Sequence, residues 1–304
     1  MALSGGVDSA VSWRIAQEAL GPERVMAISV DTGFSREGAV EEIQQLLGTR
    51  NIDYVNAAGE FYAAIEAIPY NTGDDEGYYA LVREQIGQTF FRVFHRRMRT
   101  IPNVRALIQG TNYADAWESL KKLKQHHNLV EPPEDVEFEQ LVEPIARLHK
   151  PETRLLAAYL KLPREIVGRQ PTPGPELAIR GWGPVTRDRT KACARANRIT
   201  EEVIRAHYPD PHTRPSQYYV AFAPLPTCAY LGDARNYGLV WVLRAFDCGP
   251  DENYASAAPF RFRPEVEEEL TQRLTREITM PDGTRFVDLH ISRNSKPPLT
   301  IELH

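Results

Sequence analysis

The residues with the clearest chemistry in this chain are residues 4–9, which read SGGVDS. They follow three apolar residues and precede a segment with helical spacing, so we expect a strand, a tight turn and a helix. Adjacent glycines let a backbone approach an anion, and Ser4 and Ser9 add hydroxyl donors. The N–H groups that open the helix polarise the site positively. The SGGVDS loop therefore predicts a polyphosphate site, and the alternative is a solvent-facing turn without a ligand.

The SGGVDS loop differs from two common nucleotide-binding motifs. It lacks the lysine of GxxxxGK[ST] and the third glycine of GxGxxG. It resembles instead the PP-loop of the N-type ATP pyrophosphatases, which cleave ATP between its α and β phosphates. That resemblance makes ATP the expected ligand.

A second cluster of chemically useful residues lies between positions 109 and 128. It reads QGTNYADAWES and then KKLKQHHN, so acids stand beside a lysine cluster. Carboxylates can take Mg²⁺ while ammonium groups take phosphate charge, which suits a magnesium polyphosphate. A solvated loop is the alternative. The neighbouring His126 and His127 are also compatible with zinc, although adjacent loop residues rarely ligate one ion together.

Composition limits the class of protein. The 304 residues are 42% hydrophobic and 25% charged, enough for one large domain or two medium ones. The net charge of −5 argues against a nucleic-acid-coating surface. The sequence shows neither a bilayer-spanning apolar run nor a leader, so we expect a cytoplasmic protein with no membrane partner. Three widely spaced cysteines without a CxxC pair predict reduced thiols.

Short apolar runs alternate with helical spacing through the first half of the chain. We expect strands at 24–30, 52–56 and 105–111, helices at 39–47, 60–67 and 78–99, and loops at 71–77 and 120–139. This order predicts an α/β fold with a doubly wound parallel sheet, whose ligands lie at the carboxyl ends of the strands. The 120–139 loop is expected to be a mobile lid. Only three residues precede the SGGVDS loop, so we expect that Met1 is not the natural start.

The second half of the chain has a different order of predicted strands and helices. A Gly-Trp-Gly-Pro cluster at 181–184 indicates a boundary, with domains at 1–183 and 184–304. Beyond it we expect helices at 191–207 and 265–278 and strands at 218–223, 227–231, 239–245, 286–291 and 300–303. This pattern is typical of a smaller α+β domain.

Together with SGGVDS, seven further blocks, in order, make the chain similar to the ATP pyrophosphatase unit of the GMP synthetases. Besides SGGVDS, the matching segments are DTGF at 31–34, IGQTFFRVF at 86–94, QGTNYADAWES at 109–119, KQHHN at 124–128, LVEPI with KPETR at 141–154, PTPGPELAIR at 171–180 and KPPLTIE at 296–302. The likeness covers essentially the whole chain. It implies a PP-loop fold of the adenine nucleotide alpha hydrolase type, followed by an α+β dimerisation domain, and hence a homodimer.

The resemblance also implies a reaction. The family uses ATP to adenylate the C2 carbonyl oxygen of xanthosine monophosphate, releasing pyrophosphate, and ammonia then displaces AMP to give GMP. The chain shows no glutaminase nucleophile elbow, and none of its cysteines has that context. We therefore expect ammonia from solution or from a separate glutaminase subunit.

Residue roles follow from the matched positions. The catalytic set implied by the resemblance is Asp8, Lys124, His126 and His127, with Asp8 also the Mg²⁺ ligand. The ATP-binding set is Ser4, Gly5, Gly6, Val7, Asp8, Ser9, Gly33, Gln109, Gly110 and Thr111. The set expected to bind the nucleotide substrate is Asp115, Glu118, Pro173, Gly174, Arg180, Arg235, Lys296, Thr300, Ile301 and Glu302. A structural salt bridge is the alternative role for Arg235.

The departures from the family pattern concentrate on the acceptor side. Val130 and Glu131 stand where the family has glycines, and Glu176 replaces the last glycine of PFPGPG. Glu176 adds a negative charge where an anionic nucleotide would approach. Two alternatives to GMP synthesis therefore stay open. One is a paralogue that adenylates another carbonyl heterocycle for amidation or thiolation, and the other is a non-catalytic nucleotide-binding subunit.

Overall fold

The computed structural model describes residues 1–48, 50–71, 73–113, 140–170, 172, 174–231, 234–248 and 257–292. Its contacts divide the chain into two compact units. The first unit comprises Met1–Gly33, Gly38–Ala67 and Ala80–Gly174, and the second comprises Phe34–Glu37, Ile68–Tyr79 and Pro175–His304. The units interleave along the sequence, and the domain bounds 1–183 and 184–304 stay a prediction.

The first unit contains parallel strand pairs. Strand β1 (Ala27–Asp31) pairs in parallel with β2 (Ile52–Asn56), and β3 (Ala106–Ile108) pairs in parallel with β4 (Gln140–Val142). Ala2 forms a further parallel bridge to Ile28, so the residues before the SGGVDS loop extend along β1. Parallel pairs among helices confirm the α/β class. The doubly wound strand order stays a prediction.

Helices flank these strands. Their bounds are α1 Val7–Leu20, α2 Ala39–Leu47, α3 Ala58–Glu66, α5 Lys150–Tyr159 and α6 Arg164–Val167, while α4 (Asp75–Met98) has residues in both units. The small apolar side chains of α1, such as Ala10 and Val11, pack against Ile145, Ala157 and Ile166. This packing attaches α1 to α5 and α6, and so places the start of α1 beside the start of α5.

Several predicted bounds in the first unit were wrong. Pro22–Arg24 form a short 3-10 turn, so the first strand begins at Ala27 rather than at residue 24. The loop expected at 71–77 already turns into α4 at Asp75, where acidic residues favour a helix start. Strand β3 ends at Ile108, which leaves residues 109–111 as a loop. Helices α5 and α6 were not predicted, and the 120–139 segment lies outside the described residues.

The second unit is an α+β arrangement built on an antiparallel hairpin. Strand β5 (Gln217–Leu231) pairs with β6 (Ala234–Asp247), which also pairs with the short β7 (Ala258–Pro259) and in parallel with β8 (Phe286–Ser292). Helices α7 (Arg187–His207) and α8 (Pro264–Arg276) pack on this sheet. Trp241 stacks on Phe286, with ring centroids 3.9 Å apart, at the centre of the core.

Predicted bounds in the second unit need correction. Helix α7 begins at Arg187 rather than at residue 191, and β6 begins at Ala234 rather than at residue 239. The two strands expected at 218–223 and 227–231 are one strand whose register shifts between Ala223 and Thr227. Two prolines lie in that interval, and proline has no N–H for the ladder, so the irregularity falls there. The strand expected at 300–303 lies outside the described residues. Within the described ranges, no helix is both long and apolar enough to cross a membrane.

Candidate functional site

The SGGVDS loop forms the turn that precedes α1. Gly6 is the N-cap of α1 and makes no side-chain cap hydrogen bond, while Ala10 N–H donates to the Gly6 carbonyl oxygen at 3.0 Å. The first N–H groups of any α-helix have no partner within the helix. The start of α1 therefore offers backbone donors to an anion, and the binding of a polyphosphate there stays a prediction.

Two hydroxyl groups complete one side of this turn. Ser4 Oγ and Ser9 Oγ lie 3.2 Å apart, and Ser9 Oγ–H donates to the Gly6 carbonyl oxygen at 3.0 Å. The Gly6 N–H points to the same side, where it lies 3.4 Å from Ser4 Oγ. The loop thus gathers two hydroxyls and one backbone donor on a single face.

Glycine at position 5 is favoured by the backbone conformation and by the local packing. Gly5 has a φ of 75°, in the left-handed region, and a Cβ there would lie 2.4 Å from Ile43 Cδ1 of α2. Any other residue would therefore adopt a strained conformation and would displace the end of the Ile43 side chain. The close approach of α2 keeps the loop tight.

The loop after β3 lies directly against the SGGVDS loop. A Cβ on Gly110 would lie 2.9 Å from both the backbone nitrogen and Cα of Ser9. Gln109 N–H donates to Val142 O at 3.0 Å, which continues the β3–β4 pairing, and Thr111 is buried. The structure thus brings residues 109–111 to the start of α1, as expected for neighbouring carboxyl ends of parallel strands.

Asp8 is the one carboxylate of the loop, and its two oxygens have different surroundings. Oδ2 pairs with the Nζ of Lys150 at the start of α5. Oδ1 is buried and has no hydrogen-bond partner among the described residues. An unpartnered buried carboxylate oxygen fits a hard cation, and Mg²⁺ often binds one or two protein carboxylates plus substrate phosphates and water. In the described part of the chain, no group of three or more His, Cys, Asp or Glu side chains could hold a metal.

Lys150 was not among the predicted site residues. Its signal was present, because it opens the KPETR block of the family resemblance. Sequence reasoning missed it because 142 residues separate it from Asp8, and only the packing of α5 on α1 brings the two together.

Gly33 lies at the carboxyl end of β1, with a φ of 79°. Its N–H donates to Asp31 Oδ1 at 2.9 Å, and its carbonyl oxygen accepts from Tyr62 Oη–H at 2.8 Å. A Cβ there would lie 2.8 Å from Ala58 Cβ, so α3 packs closely on this turn. The position fits the edge of the strands where ligands bind, and its role toward adenosine stays a prediction.

Predicted substrate residues in the second unit lie in two places. Arg180 is buried, with its guanidinium carbon 4.9 Å from the ring centroid of Tyr219, a cation–π contact. Arg235 is exposed on β6, opposite Tyr230 in the register. Gly174 is the last residue of the first unit. Their roles toward a nucleotide stay predictions.

Glu176, the departure from the family's glycine, has a φ of 50°. It opens the 3-10 turn Glu176–Ile179, which leads into Arg180. The backbone therefore keeps a conformation that favours glycine while carrying a charged side chain.

Ten predicted site residues lie outside the described residues. They are Asp115, Glu118, Lys124, His126, His127, Pro173, Lys296, Thr300, Ile301 and Glu302. Their assignments stay predictions from the sequence.

Comparisons with known proteins place this geometry in a family. The NAD synthase family model matches residues 1–68, which include the SGGVDS loop. One subunit of the glutamine-hydrolyzing GMP synthase of Methanosphaerula palustris is 38% identical over 302 residues, covering 99% of this chain and 91% of that protein. The corresponding GMP synthase subunit of Archaeoglobus fulgidus is 36% identical over 304 residues with the same shares.

Two further matches cover a smaller share of the matched protein, and one of them also has a lower sequence identity. The glutamine-hydrolyzing GMP synthase of Aeropyrum pernix is 35% identical over 308 residues, covering 99% of this chain and 56% of that protein. Among solved structures, a glutamine-dependent NAD+ synthetase from Acinetobacter baumannii in complex with ADP has a TM-score of 0.42 and 17% identity, over 56% of this chain and 32% of that one. Because the Methanosphaerula and Archaeoglobus relatives match over nearly the whole length of both chains, this chain belongs to the GMP synthase family of ATP-dependent ligases.

Proposed function

We propose that the chain converts xanthosine monophosphate to GMP, with Mg·ATP bound against the SGGVDS loop. ATP adenylates the C2 carbonyl oxygen of the purine and releases pyrophosphate, and ammonia then displaces AMP. The observation that carries the proposal is the convergence of the α1 N-terminus, two hydroxyls and the half-unpartnered carboxylate of Asp8 in one turn. Full-length similarity to relatives named as GMP synthase supports the acceptor.

In the first step, the C2 oxygen attacks the α-phosphorus while the bond from that phosphorus to the β-phosphate oxygen breaks. Negative charge accumulates on the departing pyrophosphate. The N–H groups at the start of α1 and the hydroxyls of Ser4 and Ser9 are placed to hold it. Lys150 adds positive charge beside Asp8.

Asp8 would hold the magnesium ion through Oδ1, and the ion would supply charge neutralisation on the β and γ phosphates. The Lys150 ammonium keeps the carboxylate oriented by occupying Oδ2. Lys124, His126 and His127 are proposed to close over the same phosphates, as their match to the family motif implies.

In the second step, ammonia attacks C2 and the bond from C2 to oxygen breaks, so AMP leaves with the former carbonyl oxygen. The attacking nitrogen loses one proton to water or to the leaving phosphate, and the ring N–H beside C2 loses its proton to water in the first step. No protein nucleophile is needed. The residues proposed to contact the nucleotide substrate are Arg180, Arg235, Lys296, Thr300, Ile301, Glu302, Asp115, Glu118, Pro173 and Gly174.

We propose two protein partners in the cytoplasm. The Methanosphaerula and Archaeoglobus relatives are each named as one subunit of a glutamine-hydrolyzing enzyme, which supports a separate glutaminase subunit as the ammonia source. The α+β unit is proposed to form a homodimer with a second copy of this chain.

The test is a product assay with Mg·ATP, ammonium and a panel of oxo-purine nucleotides. We expect AMP and pyrophosphate in amounts that depend on xanthosine monophosphate, together with one GMP for each AMP. Release of ADP and orthophosphate would contradict adenylation. AMP formed only with another member of the panel would refute this acceptor and leave the ATP chemistry intact.

One observation favours a second candidate, a paralogue with the same ATP chemistry and a different acceptor. Glu176 places a carboxylate in a turn where the family has glycine, and the turn leads directly to Arg180. A carboxylate there favours an acceptor without a phosphate, or one that donates a hydrogen bond to it. The same panel, extended to nucleosides and free bases, distinguishes the two candidates.

A further inference from the structure

The Gly5–Gly6 peptide has two faces with different partners. On one side the Gly5 carbonyl oxygen accepts a hydrogen bond from Nη1 of Arg169 at 3.0 Å. On the other side the Gly6 N–H donates to Ser4 Oγ in a long hydrogen bond of 3.4 Å, among the hydroxyls that line the predicted phosphate site. A trans peptide is planar, so the carbonyl and the following N–H point in opposite directions. By binding the Gly5 carbonyl oxygen, Arg169 therefore directs the Gly6 N–H toward the predicted phosphate site.

A peptide between two glycines is easy to rotate, because neither residue has a Cβ. The opposite orientation would turn the carbonyl oxygen toward the phosphates and remove a donor at the same time. We propose that Arg169 is a positioning residue that selects the phosphate-binding orientation of the Gly5–Gly6 peptide. The proposal rests on the proposed function, because it takes the SGGVDS loop as the ATP phosphate site.

Arg169 is itself held by two neighbouring residues, Glu42 and Arg154. Its Nη2 lies 3.5 Å from Glu42 Oε2 on α2, and its own carbonyl oxygen accepts from Arg154 Nη2 at 3.0 Å. Arg154 also donates to the Val167 carbonyl oxygen, which fixes the end of α6. Arg154 lies one turn after Lys150 on α5, so a single helix supports both Asp8 and the Arg169 backbone.

The geometry calls for arginine rather than lysine. One guanidinium nitrogen meets the Gly5 oxygen while another meets Glu42, and a planar fork can serve both partners in a fixed direction. A lysine would present a single ammonium, able to reach the carbonyl but poorly placed to keep Glu42 as well. We therefore expect Arg169→Lys to keep part of the ATP affinity and Arg169→Gln to keep little of it.

The experiment compares Arg169→Gln, Arg169→Lys and Glu42→Gln with the unaltered chain. Calorimetry measures the Kd for Mg·ATP, and the product assay measures KM for ATP and for the acceptor. Because charge-assisted hydrogen bonds contribute strongly, we expect Arg169→Gln to raise the Kd and KM for ATP about 10- to 100-fold. The acceptor KM should stay within about 2-fold, since this loop is proposed to bind ATP alone. Arg169→Lys should recover part of the loss, and Glu42→Gln should weaken ATP binding only about 2- to 5-fold.

Arg96→Gln is the matched control, because Arg96 forms a two-point pair with Glu60 on the surface of α4 and α3. It should leave ATP binding unchanged. The proposal is overturned if Arg169→Gln binds ATP like the unaltered chain, or if the KM values for ATP and acceptor rise together. If Arg169→Gln does not fold, unchanged ATP affinity in both Arg169→Lys and Glu42→Gln overturns it. Absence of AMP from the unaltered chain would refute the proposed function, while the ATP Kd values would still decide the role of Arg169.

Discussion

Gly5 and Glu176 both occupy the left-handed region of backbone conformation, one in the SGGVDS loop and one in the turn before Arg180. At Gly5 a Cβ would lie 2.4 Å from Ile43 Cδ1, so a side chain there would have to displace the end of the Ile43 side chain. At position 176 the chain carries a glutamate at a φ of 50°. Non-glycine residues there cost about 1–2 kcal/mol.

The difference separates two kinds of constraint. Around the SGGVDS loop, α2 and the loop after β3 approach so closely that a Cβ at position 5 or 110 would lie less than 3 Å from neighbouring atoms, which would have to move. In the turn at 176–179, the space admits a side chain, and the remaining penalty is backbone strain. The proposed ATP side is therefore constrained by packing, whereas the proposed acceptor side has room to change its chemistry.

The largest effect should come from the carboxylate of the loop. Asp8→Asn removes the charge that pairs with Lys150 and the oxygen proposed to bind magnesium. We expect acceptor-dependent AMP formation to fall about 1,000-fold or more, with little change in Tm. Asp53→Asn is the control, because Asp53 pairs with the exposed Arg97 in the same unit. Similar losses in both variants would show that the effect is not specific to the loop.

The second prediction sharpens the packing side of the comparison. Gly110→Ala places a Cβ 2.9 Å from Ser9 backbone atoms, which must shift. We expect a loss of about 1–3 kcal/mol in the free energy of unfolding, together with weaker ATP binding. Gly59→Ala is the matched control, since nothing lies within 4 Å of that Cβ in α3. Alanine there should stabilise the protein by about 0.5–1 kcal/mol in denaturant unfolding.

The third prediction concerns the support of the acceptor-side turn. Tyr79 Oη–H lies 2.5 Å from the Gly181 oxygen and 2.7 Å from the Gly183 oxygen, just after Arg180. Tyr79→Phe leaves these carbonyls without that donor, and we expect a loss of about 1–2 kcal/mol in the free energy of unfolding. Denaturant unfolding at neutral pH measures it, and an unchanged midpoint would contradict the bond's contribution.

The same tyrosine predicts a pH dependence. Burial raises the pKa of Tyr79 above its ordinary value of 10.0. Its folded form therefore holds the proton more tightly than the unfolded chain, so its contribution to stability is complete below pH 10 and declines as the pH rises further. Above pH 10 we expect Tyr79→Phe to lose stability with a shallower slope than the unaltered chain. If the free energy of unfolding falls with the same slope in both proteins above pH 10, Tyr79 does not contribute to the loss of stability at alkaline pH.

The smallest effect should come from Glu176→Gly. It relieves left-handed strain of about 1–2 kcal/mol but raises the entropy of the unfolded chain, so we expect a net gain of about 0.5 kcal/mol. The KM for the acceptor tests the role of Glu176 more directly than the small change in stability does. If Glu176 disfavours an anionic nucleotide, KM for xanthosine monophosphate should fall in this variant while KM for ATP stays constant. Equal changes in the KM for xanthosine monophosphate and the KM for ATP would contradict the proposal that Glu176 acts only on acceptor binding.

Local patterns predicted the first unit well where the residues that decide an element are neighbours. The helix at 39–47 and the strand at 52–56 have the predicted bounds, because their apolar spacing is bounded by residues that end regular structure. Helix α5 was missed although its capping is local, with Glu152 accepting from the His149 N–H at 2.7 Å. Its short apolar face gives little periodic signal, since Leu155 and Tyr159 are exposed.

The sequence by itself determined the SGGVDS loop, the strand and helix order around it and the family of the chain, because each depends on residue types at short spacing or in fixed order. Only the tertiary structure decided that Lys150 meets Asp8, that Gly110 lies against Ser9 and that Arg169 holds the Gly5 carbonyl. Those partners are about 100 to 160 residues apart, and no local pattern encodes such a pairing. The packing of α5 and of the loop after β3 onto α1 creates it, because close packing fixes positions that sequence spacing leaves free.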